Sequence, residues 1–570
     1  MKLPLISDNC SENSDRSSFD SAKLRNLLKL AWPFRMELAA IGFLALGTAG
    51  ISLLIPSLAG VVLGGLVGRL DVERGAVLAL LLACLVATAF LNFLAALVST
   101  RLGATMLATL RQGIFEHIQR LPIGFHELRG RGNVMALITY EIRRLSDFFI
   151  GTLTALPARL FVTVGAVALM FRIDHQLALV VPILIPTFYL LLKVVGRSLR
   201  GLAVSIQQAE ARVVEFADES LSMLPAIKAF NREAKIAEQF SSETEIVADL
   251  TKREGQIYAF LEPSIGLVAA IAAILILLLA GRGVRAGTLN PQQLFSLLFY
   301  SALLTRPVGA MANIYGQTQT AIGTLSRLQS VLSERPENLK SDSRKVLFPV
   351  RRIRFENVHF AYPGREIVFA GLNLEILPGE KLALVGANGA GKTALISLLL
   401  RYYEPRKGRI FFDEKDISTL NVADIRSQLG LVPQTPFLFN GTIRDNIAFG
   451  AESPSELQIE RAANLAQASN FISGLEQGMD TIIGNNGIRL SGGQRQRISL
   501  ARALIKEPSV LIFDEATSMF DDEGEQQFVT DFKEAMKGRT VILVTHRPAS
   551  LATADRIVII EGGVAIRGPA

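Results

Sequence analysis

The sequence predicts a multi-domain chain: an all-α transmembrane domain of six helices, followed by an α/β domain built around a phosphate loop. Three observations carry this reading. Half of the 570 residues are apolar and 19% are charged, giving a mean hydropathy of +0.35, which excludes an ordinary soluble protein. The apolar excess lies in the first 320 residues, in stretches near 37–62, 76–98, 149–171, 176–196, 257–281 and 292–313, each close to or above the ~20 residues that cross a bilayer. From Arg351 onward short apolar runs alternate with helix-like segments, the pattern of an α/β domain with a largely parallel sheet. A chain of this length also exceeds what one core can organise.

Taken in order, residues 1–20 are rich in Ser, Asn and Asp, lack the apolar centre of a signal peptide, and are expected to be a disordered tail. Residues 21–34 set basic and apolar side chains at helical spacing and end near the only tryptophan, Trp32, as an interfacial helix would. This elbow opens the expected transmembrane domain, residues 21–320. Cys10 in the tail and Cys84 in an apolar stretch make no disulfide framework. The net charge of +7 invites a nucleic-acid partner, but none is expected. The basic residues cluster in the N-terminal tail and in the second and fourth loops, among them Arg101, Arg129, Arg144, Arg200 and Lys228. That asymmetry encodes membrane topology and puts both termini and the two long loops in the cytoplasm. The loops themselves read as helical extensions of the spans.

Arg159, Lys193, Glu262 and Arg306 fall within the spans, where ionisable groups usually face a bundle interior or a watery cavity. For Lys193 and Arg306 the alternative is that they snorkel to the inner headgroups. A cavity carrying these charges is net positive and suits an anionic amphiphile. Residues 321–350 are polar and charged and read as a linker, and the α/β domain occupies residues 351–570.

Within that domain, Leu382 to Val385 is an apolar strand, Gly386-Ala-Asn-Gly-Ala-Gly-Lys-Thr393 follows it, and an apolar helical run begins at Leu395. Strand, glycine loop and helix are the context a phosphate loop requires, and they exclude an ordinary glycine-rich turn. Gly386, Gly389 and Gly391 let backbone N–H groups of the loop, those of Ala387, Asn388 and Ala390 included, curl around a polyphosphate. The helix N-terminus adds partial positive charge. Lys392 supplies a point charge for the β/γ-phosphates, and the Thr393 hydroxyl can ligate Mg²⁺. A second strand, Val510 to Asp514, ends in two carboxylates: Asp514 suits Mg²⁺ through water, and Glu515 suits polarising an attacking water. A third, Val541 to Thr545, ends at His546, which reads either as a γ-phosphate contact or as a satisfied polar residue.

Between the second strand and the phosphate loop lies Leu490-Ser-Gly-Gly-Gln494. Ser491, Gly492, Gly493 and Gln494 open a helix and make a second anion-binding N-terminus, most simply for another nucleotide. This segment resembles the signature of ABC ATPases. Tyr362 in Phe360-Ala-Tyr-Pro363 resembles the family's adenine-stacking aromatic, and Gln434 in Val432-Pro-Gln-Thr435 its Q-loop glutamine. Ser518-Met-Phe-Asp521 is similar to its D-loop and His546 to its switch histidine. Leu121-Pro-Ile-Gly-Phe125 and Met223 to Glu233 are similar to the coupling-helix regions of ABC exporters. Six spans and one ATPase domain are the half-transporter layout of the exporter group that includes lipid flippases and multidrug pumps.

The resemblance implies ATP and Mg²⁺ as ligands, with Tyr362, the 386–393 loop and the 491–494 signature on the nucleotide. Thr393, Gln434 and Asp514 fall on the metal, and Glu515, Gln434 and His546 at the reacting end. It implies a dimer with a second half-transporter, each ATP held between the phosphate loop of one chain and Ser491 of the other. With Glu515 and the signature intact a homodimer suffices, although a heterodimer satisfies the same sequence. The implied setting is a bacterial inner membrane. The implied cargo is an amphipathic small molecule or lipid, moved from the cytoplasmic side by alternating access. An importer on the exporter fold and an ATP-gated channel or regulator are the alternatives; the spans exclude a soluble nucleic-acid-repair ATPase. Asn485, Met519-Phe520 and Asn388 depart from the residues usual in the family, and none of them removes a catalytic group.

Overall fold

The computed structural model describes residues 30–66, 74–129, 131–174, 180–285, 289–337, 350, 352–484, 490–517 and 522–567. The tail with Cys10, most of the elbow, the middle of the linker, Asn485 and Ser518 to Asp521 lie outside these residues, as do the side chains of Lys193, Glu262 and Arg306. The chain divides into two compact units: Met1–Gln119 with Arg129–Arg335, and Arg120–Leu128 with Pro336–Ala570.

The first unit is helical. Helix α1 covers Arg35–Leu66 and α2 covers Arg74–Gln119; α3, Ile123–Arg129, belongs largely to the second unit. Then come α4 (Ala155–Ile173), α5 (Val180–Ser222), the short α6 (Leu224–Ala229), α7 (Glu233–Arg285) and α8 (Pro291–Leu332). The described residues of the six apolar stretches fall within these long helices or the helical turns leading into α4. Three segments among the described residues are long and apolar enough to cross a membrane: Trp32–Leu63, Gly75–Gln119 and Val134–Ile173. The 46 residues of α2 rise ~69 Å at ~1.5 Å per residue, roughly twice a ~30 Å hydrocarbon core. The long basic loops are therefore helix, as their periodicity indicates.

Large apolar side chains such as Phe43, Phe90 and Leu278 stay exposed on the helix surfaces, as a lipid environment permits. One buried cluster is formed by α1, α4 and α8, with Leu53, Val162, Met170, Leu297 and Tyr300 buried together. Small residues set the distances. A Cβ on Gly60 would lie 2.1 Å from the Ser296 hydroxyl, and one on Gly165 would lie 2.5 Å from Leu53. Tyr300 donates its phenol to the carbonyl of Leu53 at 2.9 Å, so the one polar group of that cluster is paired.

Helix α8 differs from the expected boundary, because residues 321–332, read as linker, continue it to Leu332. Ala321, Leu325, Leu328 and Val331 recur at helical spacing and are buried. Thr324 is buried with them, while Ser326, Arg327, Gln329 and Ser330 are exposed or half-buried, and it is these polar residues that made the segment read as a linker.

The second unit carries twelve strands among the described residues. They are β1 (Ile353–Ala361), β2 (Ile367–Ile376), β3 (Lys381–Val385), β4 (Lys407–Phe412), β5 (Lys415–Asp416), β6 (Leu429–Val432), β7 (Gly441–Thr442), β8 (Ile482–Ile483), β9 (Val510–Asp514), β10 (Thr540–Val544), β11 (Arg556–Glu561) and β12 (Val564–Arg567). A four-stranded antiparallel sheet runs β2-β1-β4-β5, and a six-stranded sheet runs β12-β11-β3-β10-β9-β6, parallel but for β12. Helix α9, Lys392–Leu399, buries Leu395, Ile396, Leu398 and Leu399 with Phe355, Phe360, Phe369 and Phe412. Helix α10, Gly492–Leu504, buries Ile498, Leu500 and Leu504 in a second cluster with Ile443, Ile459 and Phe532. Arg120–Leu128 joins this unit through Tyr403, whose hydroxyl donates to the Glu127 carboxylate, and through the Arg120 carbonyl, which accepts from the Glu337 N–H at 2.8 Å.

Candidate nucleotide site

Strand register builds the site. β3 pairs in parallel with β10, Leu384 opposite Val544; β10 pairs with β9, Val544 opposite Asp514; β9 pairs with β6, Phe513 opposite Val432. Four chain segments therefore leave the sheet at one edge: the phosphate loop, Thr545-His546, Asp514-Glu515 and Pro433-Gln434. Ligands of open α/β sheets bind outside this carboxyl edge.

In the phosphate loop, Gly389 and Gly391 have φ of +85° and +105°, values that side chains with a Cβ resist. A Cβ on Gly386 would also lie 2.5 Å from the Ile560 carbonyl, and one on Gly391 would lie 2.8 Å from Val368 and Phe369. Gly391 is the N-cap of α9 and supplies no side-chain cap, so the first-turn N–H groups face a cleft. That cleft is lined by Tyr362, Asn388, Gly389, Gly391, Lys392, Thr393 and Glu515. The Lys392 ammonium donates to the carbonyls of Gly386 (2.8 Å) and Ala387 (3.1 Å), which holds its charge against the loop at the cleft. Tyr362 meets Phe360 and Tyr403 edge-on, with centroids 4.9 and 5.1 Å away. Burial holds its phenol pKa above the ordinary value, so the ring is a neutral platform.

Farther along the same sheet edge, Gln434 Nε2 donates to Glu515 Oε2 at 2.7 Å. Glu515 sits at φ +48°, a left-handed conformation that costs a non-glycine residue energy and recurs at functional sites; its N–H donates to Val544 O at 2.9 Å. Burial first, and the neighbouring Glu515 charge second, raise the Asp514 pKa, while Lys392 lowers it. A crowded pair of carboxylates gains from a cation. The hydroxyl of Thr393, the amide oxygen of Gln434 and the carboxylate of Asp514 are all oxygen donors, the set that suits Mg²⁺. The chain's residues fit both the nucleotide and the metal.

Comparison with known proteins agrees with this geometry. Residues 38–308 match the family model for the ABC transporter transmembrane region, and residues 369–518 match a second model, described as ABC transporter. The ATP-dependent lipid A-core flippase of Syntrophus aciditrophicus is 33% identical over 95% of this chain and 90% of its own length. Those of Salmonella typhimurium and Escherichia coli K12 are each 31% identical over 81% of this chain and 79% of theirs. The chain belongs to the ABC transporter family. A bacterial Atm1-family ABC exporter solved with ATP bound shares the fold, with a TM-score of 0.82, 24% identity, and coverage of 96% of this chain and 95% of that one. This ABC transporter binds ATP and couples its hydrolysis to movement across a membrane.

The transporter's signature residues are not in the cleft of Lys392. Ser491 caps α10: its hydroxyl accepts from the Gln494 N–H at 3.2 Å, and Gln494 Oε1 accepts from the Ser491 N–H at 2.9 Å. His546 is exposed at the end of β10. The D-loop and Asn485 lie outside the described residues. Val368 and Ala394 line the cleft as well, although no motif covers them. Ala394 follows the phosphate loop directly, whereas Val368 arrives from β2, and only the packing of the two sheets brings it there.

Proposed function

We propose that the chain is a half-transporter of a bacterial inner membrane, that two copies assemble, and that the dimer moves a lipid from the cytoplasmic leaflet outward. The observation that carries this reading is the complete hydrolytic set, Lys392, Asp514, Glu515 and Gln434, on one sheet edge. The relatives named for lipid A-core export support the choice of a lipid. Arg159, in the third expected span, is half-exposed and suits the anionic headgroup of such a lipid.

In this mechanism the N–H groups from Gly386 to Gly391 and the Lys392 ammonium hold the phosphates, and Tyr362 stacks on the base. Thr393, Gln434 and Asp514 would hold Mg²⁺, which neutralises charge on the β- and γ-phosphates when bound. Glu515 accepts the proton of the attacking water, and His546 orients the γ-phosphate. Ser491, Gly492, Gly493 and Gln494 of the second copy close over the same nucleotide. ATP favours the closed dimer by its greater affinity for that state, and the difference shifts the population.

The test is reconstitution into vesicles holding a fluorescent phosphorylated glycolipid, with an outside-only quencher. Added MgATP should increase the quencher-protected fraction when the ATPase domains face out. An unchanged fraction, with hydrolysis intact and neutral lipids equally inert, would overturn lipid movement.

A further inference from the structure

Gln496 belongs to no motif described above, yet it is completely buried. It lies on α10, five residues after Ser491. Its Nε2 donates to two carbonyls, those of Pro433 at 3.3 Å and Gln434 at 3.1 Å. Its Oε1 is buried without a hydrogen-bond partner among the described residues. A buried amide that satisfies only one of its two ends is costly, so what the satisfied end holds is the place to look for its use.

The segment it grips supplies that use. β6 ends at Val432, and residues 433–439 have neither helix nor strand pairing. Farther along, Arg502 of α10 donates to the Phe437 carbonyl at 2.5 Å, and Asn446 exchanges hydrogen bonds with the Phe439 backbone at 2.8 and 2.9 Å. Helix α10 thus holds the segment at Gln434 and again at Phe437, three residues on, and Gln434 is the residue whose side chain meets Glu515 at 2.7 Å.

We infer that Gln496 is a positioning residue: it ties the Gln434 backbone to α10, so that the placement of the Ser491 helix sets the contact between Gln434 and Glu515. This rests on the proposed role of Glu515 at the reacting end. The nucleotide itself is not touched by Gln496, so the inference concerns turnover rather than binding.

Two variants test it in the full-length transporter in detergent or vesicles. Gln496→Glu keeps the shape but faces two carbonyls with an acceptor only; Gln496→Leu removes both the donor and the unpaired oxygen. Each should lower the kcat of ATP hydrolysis about tenfold while KM for ATP stays within about twofold. In a Gln434→Ala background neither should lower kcat further, because residues that act through one another are not additive. A residue that merely stabilises the domain would give additive losses or a matching rise in KM, and either result overturns the inference. So does a kcat within about twofold of wild type, or a failure of both variants to fold. Glu515→Gln, run alongside, separates the two ideas. If that variant keeps its turnover, the role of Glu515 fails; if it loses turnover while Gln496→Glu does not, only the positioning role fails.

Discussion

Helices α9 and α10 both start behind glycine-bearing segments, and both read in sequence as anion-binding N-termini. Their structures differ. α9 begins at Gly391, left-handed at φ +105° and without a side-chain cap, next to the Lys392 ammonium. α10 begins at Ser491, extended at φ −63° and ψ 162°, with a closed capping box through Gln494. The first terminus offers its N–H groups and a cation to whatever enters the cleft. The second has satisfied two of its donors, the Ser491 and Gln494 N–H groups, and a capping interaction of this kind is worth about 1 kcal/mol. A phosphate recruited to Ser491 must compete with that box, so α10 is a weak anion site by itself. It becomes effective once the phosphate is already held elsewhere, as the proposed dimer arranges.

The largest effect that bears on this contrast is at Glu515. Glu515→Gln should reduce hydrolysis by a factor of 100 or more, about 2.7 kcal/mol of barrier, while ATP affinity stays within about threefold. Hydrolysis within threefold of wild type would remove Glu515 as the base. Next is Lys392→Ala, which deletes the cation of the self-sufficient terminus and should weaken ATP binding at least tenfold, about 1.4 kcal/mol. Equal affinity in a nucleotide titration would erase the distinction between the two helices.

Composite sites are tested by mixing Ser491→Arg chains with Lys392→Ala chains. One site of a mixed dimer then carries both lesions and the other neither, so isolated mixed dimers should trap nucleotide while neither mutant homodimer does. Absence of trapping in verified mixed dimers would refute the head-to-tail pairing.

The smallest effect probes the far end of α10. Lys506 follows that helix and donates to the Arg426 carbonyl at 2.9 Å, and burial pulls its pKa down to about 8. Unfolded, a lysine amine titrates near about 10.4. Below the folded value both states carry the proton, and the fold bears the full cost of a buried charge. Between the two values only the unfolded chain binds it, so stability rises with pH, and above the unfolded value the cost has vanished. Lys506→Met should therefore raise the melting temperature most at pH 8 or below, with the gain fading toward about pH 10.4. A gain of the same size at every pH would show that the buried charge carries no such cost.

The sequence by itself determined what is local. Runs of apolar residues long enough for a bilayer made the spans, because hydrocarbon tolerates little else. Gly386, Gly389, Gly391 and Lys392 made the phosphate loop, because their spacing along one turn is the chemistry. Continuous burial made β3, β9 and β10 legible for the same reason. What only the tertiary structure decided depends on segments distant in the chain. The parallel register of β3, β10, β9 and β6 brings Lys392, His546, Glu515 and Gln434 to one edge. The burial of Ala321, Leu325, Leu328 and Val331 carries α8 past its expected end. The capping box sets α10 apart from α9, and the two carbonyls before Gln496 turn an unremarked glutamine into a clamp. Strand pairing and burial are bargains between remote residues, and a local pattern states only one side of them.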